Sequence, residues 1–333
     1  MSILPAAPRD RPRRPAVARE RVDGVLLLDK PRGVSSNHAL LAARRLLGAE
    51  KAGHGGTLDP MASGLLPVLF GEATKFAHDL LEADKTYLAR LVLGETSTTA
   101  DAEGVISPTH LARPSESDFL QVLRQFVGPI VQIPPMHSAL KHQGRPLYDY
   151  ARSGLSVARQ GRTVTIHSIE LLEFAADSAS IRVACSKGTY VRTLAEDIGQ
   201  AAGCGAWLGD LRRESVAAMN LTDSLSIESI EAMDLPIRRS ALAPLDTLLQ
   251  TLPRVDLAAP EALRFSQGQR LRVAPRSLSP ALPPADPTQC GRVRVYRGAQ
   301  LLGIATLDDG VIAPQRLLAQ PPAALLDDSP SLT

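Results

Sequence analysis

One stretch of this 333-residue chain, GHGGTLDPMASGLLPVLFG over residues 53–71, puts residues able to do chemistry in a loop able to present them. Asp59 precedes Pro60, whose fixed φ biases the aspartate towards an extended conformation. Gly53, Gly55, Gly56 and Gly64 surround it and let a bulky partner come close to the main chain. A carboxylate held out on so rigid a base can act as a nucleophile or as a charge stabiliser. The plainer reading is a Gly-rich turn started by an Asp-Pro pair. A phosphate cradle is excluded, because the Lys and Ser/Thr that close a P-loop are missing. His54 has neither a Cys nor a second His beside it, which argues against a metal ligand. Glycoside hydrolysis needs two cooperating carboxylates, and only Asp59 lies in a suitable loop.

The flanking sequence must hold that loop in place. Val25–Leu28 reads as a buried strand ending in a turn at Asp29-Lys30-Pro31 and Gly33. Ser35 or Ser36 caps a helix running to about Leu47, and Gly48 closes it. Beyond the loop come a strand at Leu65–Phe70, a helix at Ala73–Leu81 and a strand at Thr86–Gly94. Residues 96–104 read as polar loop. Ser115–Val127 is a helix with a start like a capping box, and a short helix spans Pro146–Arg152. Thr163–Phe174 pairs with Ser180–Ser186. A helix follows at Tyr190–Ala201, then a short strand at Leu208–Arg213 and a helix at Ser226–Met233. Strands and helices mix without a regular βαβ beat, so the expected class is α+β with a mixed sheet. The texture changes near Pro253. A helix at Pro260–Phe265, a basic strand at Gln269–Val273, a Pro-rich stretch at 275–287 and a hairpin, Arg292–Arg297 with Leu301–Leu307, predict a small β-rich unit. The expected organisation is a disordered basic extension over 1–22, a catalytic domain over 23–250, the small unit over 251–320 and a flexible tail over 321–333.

Composition narrows the function classes. Apolar residues make up 44% and charged residues 22%, ordinary values for a soluble protein. No apolar run approaches the roughly 20 residues that span a bilayer, and the N-terminus lacks a secretory pattern. Cys185, Cys204 and Cys290 are too scattered for a disulfide framework or a CxxC metal site, which fits a reducing cytoplasm. Net charge is +2, but residues 1–21 alone carry six arginines against two acids. The folded remainder must therefore bind any nucleic acid through a local basic patch rather than overall charge. The arginine-rich arm is either a solubilising tail or an RNA-touching segment.

Widely separated stretches share one likeness. GVLLLDKPRGVSS (24–36), GHGGTLDPMASGLLPVLFGEATKF (53–76), DKTYLARLVLG (84–94), IPPMHSALKHQGRPLYDYAR (133–152) and CSKGTYVRTLAEDIG (185–199) resemble the TruB family of tRNA pseudouridine synthases. The resemblance runs in order over about residues 24–318, with GTLDP and KGTYVRTL its most specific parts. It implies a mixed α+β catalytic domain followed by a PUA-like RNA-binding domain, and formation of pseudouridine in the T-loop of tRNA. It also implies a catalytic aspartate at Asp59, an arginine paired with it at Arg192, and a tyrosine against the target base at Tyr87. Tyr190 and Leu211 match residues lining the uracil pocket. His54 matches the residue entering the T-loop where the base departs, and Lys30 a lysine that supports the loop or touches phosphate. His137 stands where many members have Tyr, and Gly55 where Thr or Ala is common.

The implied reaction breaks the N1–C1′ bond, turns the uracil and rejoins it through C5. It needs neither redox change nor group donor, so no cofactor and no metal are expected. Three roles stay open for Asp59: attack at C1′, attack at C6, or help in removing the 2′ proton. The expected partner is the tRNA T stem-loop, with no membrane, no obligatory protein partner, a monomeric state and a cytoplasmic location. Two rivals remain. A tRNA-binding or tRNA-folding module would keep its function without Asp59, and a guide-RNA-dependent synthase would be inactive without partner proteins.

Overall fold

The computed structural model describes residues 19–138, 140–273 and 291–319. The Pro-rich stretch, the C-terminal tail and most of the basic arm lie outside these residues. The first strand, β1 (Gly24–Lys30), is followed by α1 (Ser36–Leu47), β2 (Ala52–His54) and β3 (Ser63–Phe70). Ser35 caps α1 by accepting the His38 amide at 3.2 Å, and Gly48 ends it at φ +62°, as the sequence predicts. A 3-10 turn, Gly71–Phe76, leads into α2 (Ala77–Glu82) and then β4 (Lys85–Leu93). A small hairpin, β5 (Glu95–Ser97) with β6 (Ile106–Pro108), leads to α3 (Glu116–Gln125) and β7 (Gly128–Gln132). Short pairs β8 (Lys141–His142) and β9 (Arg145–Pro146) precede α4 (Leu147–Arg152). Next come β10 (Arg162–Phe174), β11 (Ser178–Cys185), α5 (Val191–Ala201) and β12 (Ala206–Val216).

After β13 (Met219–Asn220) and β14 (Leu225–Ser226), these strands form one ten-stranded mixed sheet. Its order is β14-β1-β3-β12-β4-β11-β10-β7, with β2 on β3 and β13 on β12. The class is α+β. Both faces of β1 and β3 are covered, which is why they read as unbroken apolar runs. Leu26, Leu28, Leu66, Val68 and Phe70 pack with the α1 residues Ala39, Leu40, Ala43, Leu46 and Leu47. Val25, Leu65 and Leu69 point the other way, towards Phe76, Leu80, Leu248 and Leu249. A separate cluster joins β4, β11 and β12 to Leu194 and Ile198 of α5 and Phe119 of α3. Each buried leucine or phenylalanine contributes about 1.5–3 kcal/mol, so these layers fix the strands on which the loops stand.

Helices α6 (Ile227–Ala232) and α7 (Leu235–Ser240) connect to a five-stranded sheet. It comprises β15 (Arg254–Asp256), β16 (Leu271–Arg272), β17 (Gly291–Arg297), β18 (Gln300–Asp308) and β19 (Val311–Leu317), with α8 (Ala259–Ser266) packed against it. The second sheet meets the helical and 3-10 connections of the first. Arg292 pairs with Asp79, Tyr296 donates to Asp246 at 2.9 Å, and Lys75 donates to the Leu317 carbonyl at 2.9 Å.

Several local expectations need correction. Folded chain starts before residue 23, because Glu20 bridges to Ala49 and Val22 joins the core of α1. The helix expected at Ala73–Leu81 is split by the 3-10 turn. Residues 96–104 are not all loop, since β5 extends to Ser97. The short strand expected at Leu208–Arg213 is an eleven-residue central strand. Its Arg-Arg-Glu run hid it, because those charges are taken up within the fold: Arg213 is buried, Glu214 pairs with Arg182, and Arg212 pairs with Asp29. Strands β7 and β19 and helix α7 carried no signal strong enough to read.

Candidate active site

The loop that carries Asp59 connects β2 to β3 and is pinned from below by the start of α1. Ser36 is buried, and its hydroxyl donates to the Leu58 carbonyl at 2.9 Å while accepting the Leu58 amide at 2.8 Å. The Gly33 amide reaches the Pro60 carbonyl at 2.7 Å. Gly64 begins the exit strand at φ +101°, and a Cβ there would lie 2.4 Å from the Arg213 carbonyl oxygen. Both the left-handed backbone and the main-chain contact demand glycine. Gly64→Ala is therefore expected to cost about 1–3 kcal/mol, read as a lower midpoint in thermal or denaturant unfolding, because neither strand can move aside.

Arg192 projects from the first turn of α5 and is 5% exposed. Its guanidinium meets three acceptors. Nε lies 3.0 Å from Asp59 Oδ2, Nη1 lies 3.2 Å from Asp101 Oδ2, and Nη2 donates to the His137 carbonyl at 2.8 Å. Asp101 is buried, and its second oxygen accepts from Thr99 Oγ1 at 2.6 Å and from the Glu103 amide at 3.0 Å. Arg192 is thus locked on one side by an inaccessible carboxylate and offers the other side to Asp59. The Asp59 side chain keeps 38% exposure, enough for a substrate to reach it. Burial pushes its carboxyl above the usual 3.8, with Arg192 and Lys30 pulling back and Asp101 adding to the rise.

Asp59 opens into a cleft of about 490 Å³. Tyr87 from β4, Tyr190 and Arg192 around the start of α5, and Leu211 from β12 line the same cleft. Five of the seven residues singled out in the sequence therefore meet. Gln132, nearly fully buried, holds Tyr190 by accepting its amide at 3.0 Å and donating to its carbonyl at 3.3 Å. Burial raises the pKa of both tyrosines and so holds them as neutral phenols, and Arg213 works against that rise at Tyr87.

Lys30 and His54 do not line the cleft. Lys30 is fully buried and donates to the Pro31 carbonyl at 2.9 Å and the Val34 carbonyl at 2.6 Å. Its ammonium is thus spent on the turn that precedes α1. Burial lowers its pKa to about 8. His54 ends β2 with its Nδ1 buried and unpartnered, and burial, then Arg213, keeps the ring in its neutral form. Sequence reasoning missed Asp101, Arg213, Lys85 and Gln132. All four are polar residues in stretches whose periodicity says only strand or loop. Among the described residues, no group of three His, Cys, Asp or Glu side chains converges as a metal site.

Comparison with known proteins decides the family. The model of the TruB family pseudouridylate synthase N-terminal domain matches residues 44–191. Models of the tRNA pseudouridylate synthase B C-terminal domain and of the pseudouridine synthase II TruB C-terminal region match 192–252 and 253–318. A tRNA pseudouridine synthase B from Burkholderia mallei (strain ATCC 23344) is 53% identical over 306 residues, covering 92% of this chain and 97% of that protein. The chain belongs to the TruB family of pseudouridylate synthases. A second relative of the same name, from Burkholderia lata, is 54% identical over 308 residues, with 92% and 93% covered. Among solved structures, a chain from a Cbf5-Nop10-Gar1 complex superposes at a TM-score of 0.68 with 25% identity, covering 88% of this chain and 84% of that one. The family model for the N-terminal domain spans Asp59, Tyr87 and Asp101, and its boundary falls between Val191 and Arg192.

Proposed function

We propose that the protein isomerises one uridine of the tRNA T-loop, at position 55, to pseudouridine. The observation that carries this reading is the Asp59–Arg192–Asp101 chain at a cleft shared with Tyr87, Tyr190 and Leu211. A uridine flipped out of the T-loop pays a few kcal/mol for unstacking. Tyr190 and Leu211 give the base apolar surface, and aromatic stacking returns about 1–3 kcal/mol. The neutral, flat His54 ring beside the cleft suits the space the base leaves in the loop.

Asp59 faces the nucleoside as the working carboxylate. Roles at C1′, at C6 and at the 2′ proton all require it ionised, and Arg192 supplies the countercharge. The N1–C1′ bond breaks, and its electron pair stays on the uracil. After rotation, C5 bonds to C1′. Tyr87 then takes the C5 proton; the C5–H electrons form the C5–C6 double bond, and N1 accepts a proton from solvent. None of these steps consumes a cofactor. The second sheet, with the exposed Arg272 and Arg316 on its strands, is the natural seat for RNA backbone contacts, and the chain acts as a monomer without guide RNA or protein partner.

The test is a purified chain incubated with an unmodified tRNA transcript, followed by carbodiimide-dependent primer extension. One stop in the T-loop supports the reading. Tight binding with no stop would replace it with a tRNA-binding module or a partner-dependent enzyme. A pH prediction follows from the raised carboxyl of Asp59. A carboxylate whose pKa is raised loses its charge at a higher pH than free aspartate. The acid limb of single-turnover rate should therefore fall at a pH above 3.8. A limb at or below that value would mean that the titrating group is not the Asp59 of this cleft.

A further inference from the structure

Arg213 is fully buried on β12, and no carboxylate among the described residues pairs with it. Burying an unpaired cation costs several kcal/mol, so its position calls for a reason. Its Nε donates to the Leu65 carbonyl at 2.7 Å, and its Nη2 donates to the Gly56 carbonyl, at the root of the Asp59 loop, at 3.1 Å. It also stands directly opposite Tyr87 in the antiparallel pairing of β12 with β4, with the guanidinium beside the phenol. The side chain thus joins three places: the β3 strand, the Asp59 loop and Tyr87.

We propose that Arg213 is the positioning residue for the C5 deprotonation: its guanidinium fixes the Tyr87 oxygen as the proton acceptor and ties it to the loop that carries Asp59. An arginine has five N–H donors and no acceptor, so a phenol oxygen against it can only accept. The same positive charge favours the phenolate over the phenol, opposing the effect of burial. Other groups face this pair from every side. Asp59 comes from the loop, Cys185 from β11, Lys85 from β4, Lys30 from β1 and His54 from β2. The Cys185 thiol is pushed up to about 11 and stays neutral. The Lys85 ammonium turns away to the Leu80, Leu81 and Ala83 carbonyls, at 2.9, 3.1 and 2.5 Å. Lys30 is spent on its own carbonyls. Arg213 is the cation left to serve the phenol.

The inference rests on Tyr87 being the base, so the experiment separates the two. Single-turnover rates on tRNA transcript are measured against pH for four chains: wild type, 3-fluorotyrosine at position 87, Arg213→Gln and Arg213→Lys. Fluorination lowers the phenol's intrinsic pKa without touching the arginine, so the ascending limb moves to lower pH. Arg213→Gln keeps amide donors but removes the charge. Its limb should move up by about one pH unit, with about a tenfold slower rate at neutral pH and tRNA affinity within about threefold of wild type. Arg213→Lys keeps the charge and so keeps the wild-type limb at a reduced rate. A limb that responds to fluorotyrosine but not to Arg213→Gln overturns the inference and leaves Tyr87 as the base. No response to fluorotyrosine rejects Tyr87 as the base and the inference with it. If Arg213→Gln does not fold, Arg213→Lys decides: a wild-type limb at a reduced rate supports the inference, and a wild-type limb at the wild-type rate, or a shifted limb, overturns it.

Discussion

Asp59→Asn should reduce pseudouridine formation by at least about 10³-fold while tRNA affinity changes by less than about threefold. The asparagine keeps the shape and one acceptor for Arg192 Nε, so the loop, held by Ser36 and by the Gly33–Pro60 hydrogen bond, stays where it is. It cannot carry charge. The variant should also melt no lower than wild type at neutral pH. Linkage gives the sign: the folded pKa of Asp59 is raised, so the native state holds its proton longer than the unfolded chain does. Stability contributed by this group is therefore lost as pH rises above 3.8, and ionised Asp59 costs the fold energy at pH 7. Removing the charge relieves that cost. Melting curves beside single-turnover rates check both halves. A variant that still turns over near the wild-type rate would remove Asp59 from the chemistry.

That cost helps explain what could be read in the sequence. Asp59 stood out because its support is local: an Asp-Pro pair, flanking glycines and a capped helix lie within about two dozen residues. The capped helix α1, the apolar strands β1 and β3 and the β10–β11 pair were legible for the same reason. Tyr87, Tyr190 and Arg192 were legible only as parts of stretches with a family likeness, and Leu211 only as a position that matches the same family, since an arginine in a first helical turn is ordinarily a surface residue. Asp101 was not legible. It lies 91 residues from Arg192, in a segment of small polar residues that reads as loop, and only the packed fold shows it to be buried. Arg213 was hidden inside an Arg-Arg-Glu run of the kind usually solvated. The hydrogen bonds that use it go to carbonyls, and a carbonyl partner leaves no mark on residue type. Lys30 shows the converse. Its side chain suggests phosphate, while its complete burial spends the charge on the turn that precedes α1.

Arg192 is where fold and chemistry share one group, and substitutions there should separate the two. Arg192→Lys keeps the charge but loses the planar fork. One ammonium cannot meet Asp59, Asp101 and the His137 carbonyl together at the distances seen, so a loss of about 10²-fold or more in rate is expected. The acid limb should stay near its wild-type position, because Arg192 holds the Asp59 carboxyl down chiefly through its charge, which lysine keeps. Arg192→Met goes further and strands the buried Asp101 without its cation, costing about 3–5 kcal/mol of stability. Adding Asp101→Asn removes that stranded charge. The double variant should therefore recover most of the stability and none of the activity, since Asp59 still lacks its partner. Denaturant unfolding and single-turnover rates on the same three proteins read the two effects apart. Activity restored together with stability would mean that Arg192 serves the reaction only by holding Asp101, and that Asp59 works without a countercharge.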